Sequence, residues 1–154
     1  QYARLLGAAT GLPVTDTAWG ADPHPGREVI YLGWLMAGKI QGYEKAKKQY
    51  DIRAVCAVGM GPASKANADK LHAELSLPEA VPVFTLQGGF DIRKLRGPYK
   101  WIMTLKCKQI RKTLEGKDHL SAAQQLTYDM ATTGASAVSA ENLAPIITWY
   151  EQTK

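Results

Sequence analysis

Three short stretches of the chain set glycine beside large apolar groups: Gly33-Trp34-Leu35-Met36-Ala37-Gly38, Gly59-Met60-Gly61 and Gln87-Gly88-Gly89-Phe90. Each follows a run rich in valine, isoleucine or aromatic residues. Glycine lets a backbone approach a ligand closely, and Trp34 or Phe90 could cover a flat ring. The combination suits a planar, partly apolar ligand better than a sugar or a free phosphate. The same glycines also serve as ordinary turns, and Trp34 with Met36 could equally cap a sheet end or pack on a helix.

Other chemistries find fewer residues. His24, His72 and His119 are remote from one another and from Cys56 and Cys107, so no zinc-ligand spacing exists. No G-x-S-x-G elbow offers a serine nucleophile. Gly59 and Gly61 begin a near miss to the dinucleotide fingerprint, but Ser64 stands in the third glycine's place and Pro62 interrupts it, and no stretch has phosphate-loop spacing. Asp91 stands alone, as a helix cap or turn former. Redox or group-transfer chemistry here therefore needs a borrowed reactive group, which means a cofactor.

The elements that position these loops are readable from pattern. The runs "EVIYLG" from Glu28, "IRAVCAVGMG" from Ile52 and "VPVFTLQGG" from Val81 read as buried strands of a parallel sheet, the first ending at Gly33. Ile40, Tyr43, Ala46 or Lys47, and Tyr50 mark one helix between them. Ala68, Leu71, His72 and Leu75 mark the next, with Ser64 as its N-cap. Leu143, Ile146, Ile147 and Tyr150 form one stripe of a closing helix, capped by Ser139, with Pro145 in its first turn. Tyr2 to Ala9 reads as helix and "LPVTDTAW" as strand. This alternation predicts an α/β fold with helices on both faces of the sheet, and 154 residues suit one domain over 1–154. In such sheets ligands sit beyond the carboxyl ends of the strands, where the three glycine-bearing loops fall.

The charge is uneven. Residues 91–117 hold nine basic and two acidic side chains, a net +7 against +5 for the whole chain, so the remainder is acidic by two. From Lys94 to Leu114 apolar residues recur near helical spacing, with Gly97-Pro98 as a turn before a helix from about Tyr99. Three readings compete for 93–117: a helix packed on the domain with solvated lysines, a helix at a membrane surface, and a docking face for an acidic redox partner. Nucleic acid is not expected, since no stacking array or recognised module accompanies the charge. The two cysteines are too few for a disulfide framework and read as buried or half-buried thiols. No stretch is apolar for the roughly 20 residues a membrane span needs, and the start lacks a signal-peptide layout. A cytoplasmic protein is expected, peripheral at the inner face of the membrane if the basic segment docks there.

These stretches, in this order, carry a resemblance. "VIYLGWLMAGKI" is similar to the third strand and flavin-covering loop of flavodoxin-domain proteins, "AVCAVGMGPAS" to their fourth strand and loop, and "TLQGGFDIRKLRGPYKWIMTLKCKQIRK" to their fifth strand with a basic, aromatic insert. The chain resembles the group that includes the flavodoxin-type bacterial protoporphyrinogen oxidase. The resemblance implies a flavodoxin-like three-layer sandwich with a mainly parallel sheet of order 2-1-3-4-5, its first strand and Thr/Ser- and Gly-rich phosphate loop missing from these 154 residues. It implies flavin mononucleotide (FMN) as cofactor. Gly33, Trp34, Leu35, Met36, Ala37 and Gly38 would flank the ring, Gly59, Met60 and Gly61 approach it from the other side, and Gln87, Gly88, Gly89 and Phe90 lie near its polar edge. Electron transfer to a redox partner protein or a quinone-like acceptor would follow. The alternatives are a protoporphyrinogen-oxidase-like FMN enzyme at the membrane surface and a cofactor-free binding module.

Overall fold

The structure is a computed structural model that describes residues 1–16, 24–36 and 38–154. The chain forms two compact units. The first comprises Gln1–Gly59, Ala63–Leu86 and Ser139–Lys154; the second comprises Met60–Pro62 and Gln87–Val138.

The first unit is built on a mixed four-stranded sheet of order β2-β1-β3-β4, in which β1 is Glu28–Met36, β2 Lys39–Ile40, β3 Asp51–Gly59 and β4 Val83–Gln87, all but the last residue of β4 belonging to this unit. The valine- and isoleucine-rich runs form these strands because branched side chains fit a pleated surface covered on both sides. β1 and β3 run parallel, with Tyr31 opposite Val55 and Trp34 opposite Val58, after a register shift between Val29 and Ile30. Val55 donates its N–H to the Pro82 carbonyl at 3.0 Å, tying β3 to the start of β4. Along β3 the neighbours Ala54, Val55, Cys56 and Ala57 are all buried. Successive residues point to opposite faces, so both faces of this strand are covered.

One face packs Tyr31, Val55 and Ala57 against Tyr43 and Ala46 of the single-turn helix α2 (Tyr43–Ala46) and Leu71 of α3 (Lys65–Glu74). Helices α1 (Tyr2–Thr10) and α6 (Ala144–Thr153) accompany each other, and the Asn142 side chain donates to the Tyr2 hydroxyl at 2.7 Å. The Phe84 ring of β4 meets Trp149 of α6 at 6.2 Å. Ser64 caps α3 as its position suggested, accepting from the Asn67 N–H at 3.2 Å. Pro145 falls in the first turn of α6, where its missing N–H costs nothing. Ser139 serves a different end: its hydroxyl accepts from Glu141 N–H, at the head of a 3₁₀ turn over Glu141–Leu143 that precedes α6.

The sheet departs from the expected order in specific ways. β1 does not end at Gly33 but continues through Trp34, Leu35 and Met36, then reverses so that Leu35 and Met36 pair antiparallel with Ile40 and Lys39. The reversal runs through Gly38, at φ 77°. Gly33 is small for packing reasons: a Cβ there would lie 2.5 Å from an Ile40 methyl and 2.9 Å from the Tyr31 ring. Ile40 consequently belongs to a strand, and the helix expected from Ile40 to Tyr50 shrinks to the turn of α2. Residues 12–16 of the expected strand "LPVTDTAW" are not in a sheet; Pro13 has no N–H to give a ladder, and Val14 is 52% exposed. Its remaining residues, 17–19, lie outside the described residues. Along Glu28–Gly33, β1 has no neighbouring strand on the side away from β3 among the described residues.

The second unit is smaller. Gly89–Phe90 (β5) pairs antiparallel with Ala135–Ser136 (β6), so these residues are a ribbon and not the open loop expected. A 3₁₀ turn over Ile92–Lys94 follows, its N-cap Asp91 accepting from Arg93 N–H at 3.0 Å. Then come α4 (Pro98–Glu115) and α5 (Ala122–Thr132). Pro98 opens α4 and Gly116 closes it, so the helix begins one residue before the Tyr99 start read from the sequence. α5 starts with a capping box in which Ser121 and Gln124 satisfy each other's backbone N–H.

Candidate functional site

At the carboxyl end of β1 the side chains alternate. Leu35 packs against the core that contains Tyr31 and Ile40. Trp34, one residue earlier, points the other way and is 46% exposed. Met36 is half-buried, and Gly38 is exposed with open space where a Cβ would stand. Gly59, at the carboxyl end of the neighbouring β3, lies with its missing Cβ 3.8 Å from the Leu35 side chain. The first unit thus gathers Trp34, Leu35, Met36, Gly38 and Gly59 at one end of two parallel strands. Ala37 lies outside the described residues.

The candidate residues of the second unit are held by their own neighbours. The Gln87 amide donates to the Met60 carbonyl at 2.9 Å, and the Thr127 hydroxyl donates to the same oxygen at 3.3 Å. The Gly88 carbonyl accepts from Ala137 N–H at 3.2 Å. Gly89 leaves room for Ser136, whose hydroxyl would sit 2.8 Å from an added Cβ, so its lack of a side chain is explained by ribbon packing. Phe90 is half-buried opposite Ala135. Gly61 has an exposed backbone with nothing within 4 Å of a Cβ.

The thiols are not poised as nucleophiles. Cys56 is fully buried and Cys107 nearly so, and loss of hydration pushes both thiols up from their ordinary pKa, Cys107 against a smaller opposing pull from the Arg111 charge. His72 is engaged at Nε2 with the Pro78 carbonyl, 3.1 Å away. No group of metal-ligating side chains is present among the described residues.

Two concavities were not foreseen from the sequence. In the first unit a groove of about 690 Å³ runs between α3, β4 and α6; its charged pair Lys65 and Asp69 is closed at 3.0 Å, leaving mostly apolar walls such as Phe84, Pro145 and Ile146. In the second unit a cleft of about 370 Å³ is lined by Arg93, Lys100, Thr104, Cys107, Lys108 and Arg111, and closed by Ala131 and Thr132 of α5. Lys100, Thr104, Lys108 and Arg111 occupy adjoining positions on one flank of α4, a spacing visible in the sequence that reads as a solvated face until α5 is placed beside it.

Comparison with known proteins adds no relative: no family model, curated protein or solved structure matches this chain.

Proposed function

We propose that the chain is an FMN-binding, flavodoxin-like redox protein that passes electrons to a partner protein or a quinone-like acceptor. The observation that carries this reading is Trp34, a large apolar ring left 46% exposed near the carboxyl end of a parallel strand. Burying an indole recovers roughly 25 cal/mol per Å² of apolar surface. A flat aromatic ligand recovers it where the chain's own side chains do not. Trp34 would stack on the ring and Met36 shield its edge from water. The backbone at Gly38 is open enough for close approach, and Gly59 is small at the neighbouring strand end. In this reading β1, β3 and β4 are the third, fourth and fifth strands of a 2-1-3-4-5 sheet, and the Glu28–Gly33 edge, without a neighbour among the described residues, is where a further strand would fit.

The flavin, when bound, supplies one- or two-electron transfer; the chain supplies a stacking face and a poorly hydrated surround that sets the potential. The residues that fit are those for the ring. The phosphate loop of the resembled family has no counterpart among the described residues, so ring and phosphate contributions are best separated by titrating the purified protein with FMN and with riboflavin. Binding of either, with ring fluorescence quenched and affinity at least tenfold weaker in Trp34→Ala, supports the reading. Absence of binding by both assigns a cofactor-free module instead. Turnover of a porphyrinogen by the flavin-loaded protein with a quinone would assign the oxidase reading over simple electron transfer.

A further inference from the structure

The cleft of about 370 Å³ in the second unit is charged toward its ends and apolar in its middle. Along α4, its lining residues Lys100, Thr104, Lys108 and Arg111 fall within an arc of about 80°, and Lys100 and Lys108 stand about two helical turns apart, roughly 12 Å along the axis. The cleft therefore follows the helix. Between the lysines its floor is made by Cys107 of α4 and Ala131 of α5, both buried.

The cations differ in what they have to offer. Arg111 is paired with Glu115 at 3.7 Å and Arg93 with Asp91 at 2.9 Å, so each arginine brings donors but no net charge. Lys100 and Lys108 make no ion pair among the described residues, and they leave the cleft with two uncompensated ammonium groups. The hydroxyls do not help an anion. That of Thr104 donates to the Lys100 carbonyl at 2.7 Å and that of Thr132 to the Tyr128 carbonyl at 2.9 Å, each turned back on its own helix. A negative group drawn to the middle of the cleft would lose water beside Cys107 and Ala131 with no hydroxyl donor to replace it. At either end it meets an ammonium group that donates charge-assisted hydrogen bonds.

We propose that this cleft binds a linear dicarboxylate lengthwise, with one carboxylate on Lys100, the other on Lys108 beside Arg111, and the methylene chain lying over Cys107 and Ala131. Two separated cations with an apolar floor between them match a ligand that is charged at both ends and hydrocarbon in the middle. A compact anion such as inorganic phosphate matches less of the cleft, because it cannot engage both lysines without leaving its charge over the apolar floor. The proposal is independent of whether the first unit holds flavin.

The test is titration of the full chain with succinate, suberate, octanoate and inorganic phosphate at low ionic strength, where exposed charges are least screened, followed through the amide NMR signals of Thr104 and Ala131. Suberate is expected to bind about tenfold more tightly than octanoate, which has the same chain length but a single carboxylate, and than succinate, which is too short to reach both lysines. Lys100→Gln and Lys108→Gln should each lower suberate to the affinity of octanoate. Thr104→Val should change it by less than about twofold, since the cleft does not use that hydroxyl. Glutamine suits a helix about as well as lysine, so circular dichroism should show both lysine variants folded. Absence of suberate binding, equal affinity for suberate and octanoate, or undiminished binding in both lysine variants would overturn the proposal. Tighter binding of phosphate than of suberate, or a tenfold loss in Thr104→Val, would overturn it too, by assigning a compact single-anion site.

Discussion

Trp101 and Met103 are two residues apart on α4 and face opposite ways, the first 69% exposed and the second 6%. The helix geometry requires this, since two residues turn the chain by more than half a revolution. Its consequence is that apolarity alone does not say which side chain holds the unit together.

Stability separates the two. Met103→Ala removes a buried side chain of α4 and should cost about 2 to 4 kcal/mol, the range for such truncations. Trp101→Ser should change stability by no more than about 0.5 kcal/mol, as surface substitutions do. Urea denaturation followed by circular dichroism measures both. Comparable losses from the two would mean that Trp101 is covered within the folded protein.

Gly134 is the narrow point of the second unit. Its backbone has φ 85°, and a Cβ would stand 2.7 Å from the Asp91 carboxyl carbon. Gly134→Ala should therefore destabilise the fold by about 2 kcal/mol from the left-handed backbone alone. Hydrogen bonds from the Arg93 side chain hold the Asp91 carboxyl down at about 2, with help from the Arg93 N–H and the charges of Arg93 and Lys94. A depressed carboxyl contributes stability above the ordinary carboxylate range and loses it as pH falls through about 2. The substitution would push Asp91 off Arg93, so its titration, followed by NMR, should move up toward that ordinary range. An unchanged titration would show that the contact yields without breaking the pair.

In the first unit, the Tyr31 hydroxyl donates to the Gln41 carbonyl at 2.6 Å and its ring meets Tyr43 edge-on at 5.8 Å. Tyr31→Phe keeps the ring contact and removes one hydrogen bond, leaving the Gln41 oxygen without that donor. A loss of about 1 kcal/mol follows, read as a lower denaturation midpoint at constant slope. A larger loss accompanied by a changed slope would indicate that the β1–β2 hairpin itself opens.

What the sequence disclosed and concealed follows from how far each signal reaches. β1, β3 and β4 announced themselves because strands covered on both faces need unbroken runs such as Ala54 to Val58. The Ser64 cap of α3 was legible, and the start of α4 to within one residue, read near Tyr99 and found at Pro98, because capping is a local contest over a few backbone donors. Gly33 misled, because a glycine that ends a strand and a glycine that admits Ile40 from the next strand are the same letter. β5 and β6 are two residues each, too short to show any period. α5 was missed although Ser121 and Gln124 spell a capping box; few of its side chains are fully buried, so no clear stripe marks it. At the candidate site, the exposure of Trp34 could be asked about but not read. The basic cleft needed α5 beside α4 before its charges became a site.

Burial of ionisable groups also makes the fold sensitive to base. Desolvation raises the thiols of Cys56 and Cys107 and the phenols of Tyr31 and Tyr43 above their ordinary values. A group whose pKa is raised on folding contributes its full share of stability below its unfolded pKa. That share is lost as pH climbs from there toward the folded value, because the unfolded chain then releases a proton that the folded chain keeps. For a thiol the decline starts near an unfolded pKa of about 8.5, and for tyrosine near about 10. Guanidinium midpoints should hold steady around neutrality and fall progressively above about pH 8.5. Cys56→Ala should flatten the first part of that decline while leaving the tyrosine part in place, and native Cys56 should resist thiol reagents until the protein unfolds. Rapid modification of Cys56 in the native protein, or an alkaline decline unaltered in Cys56→Ala, would mean that the strand around it opens to water far more readily than its complete burial implies.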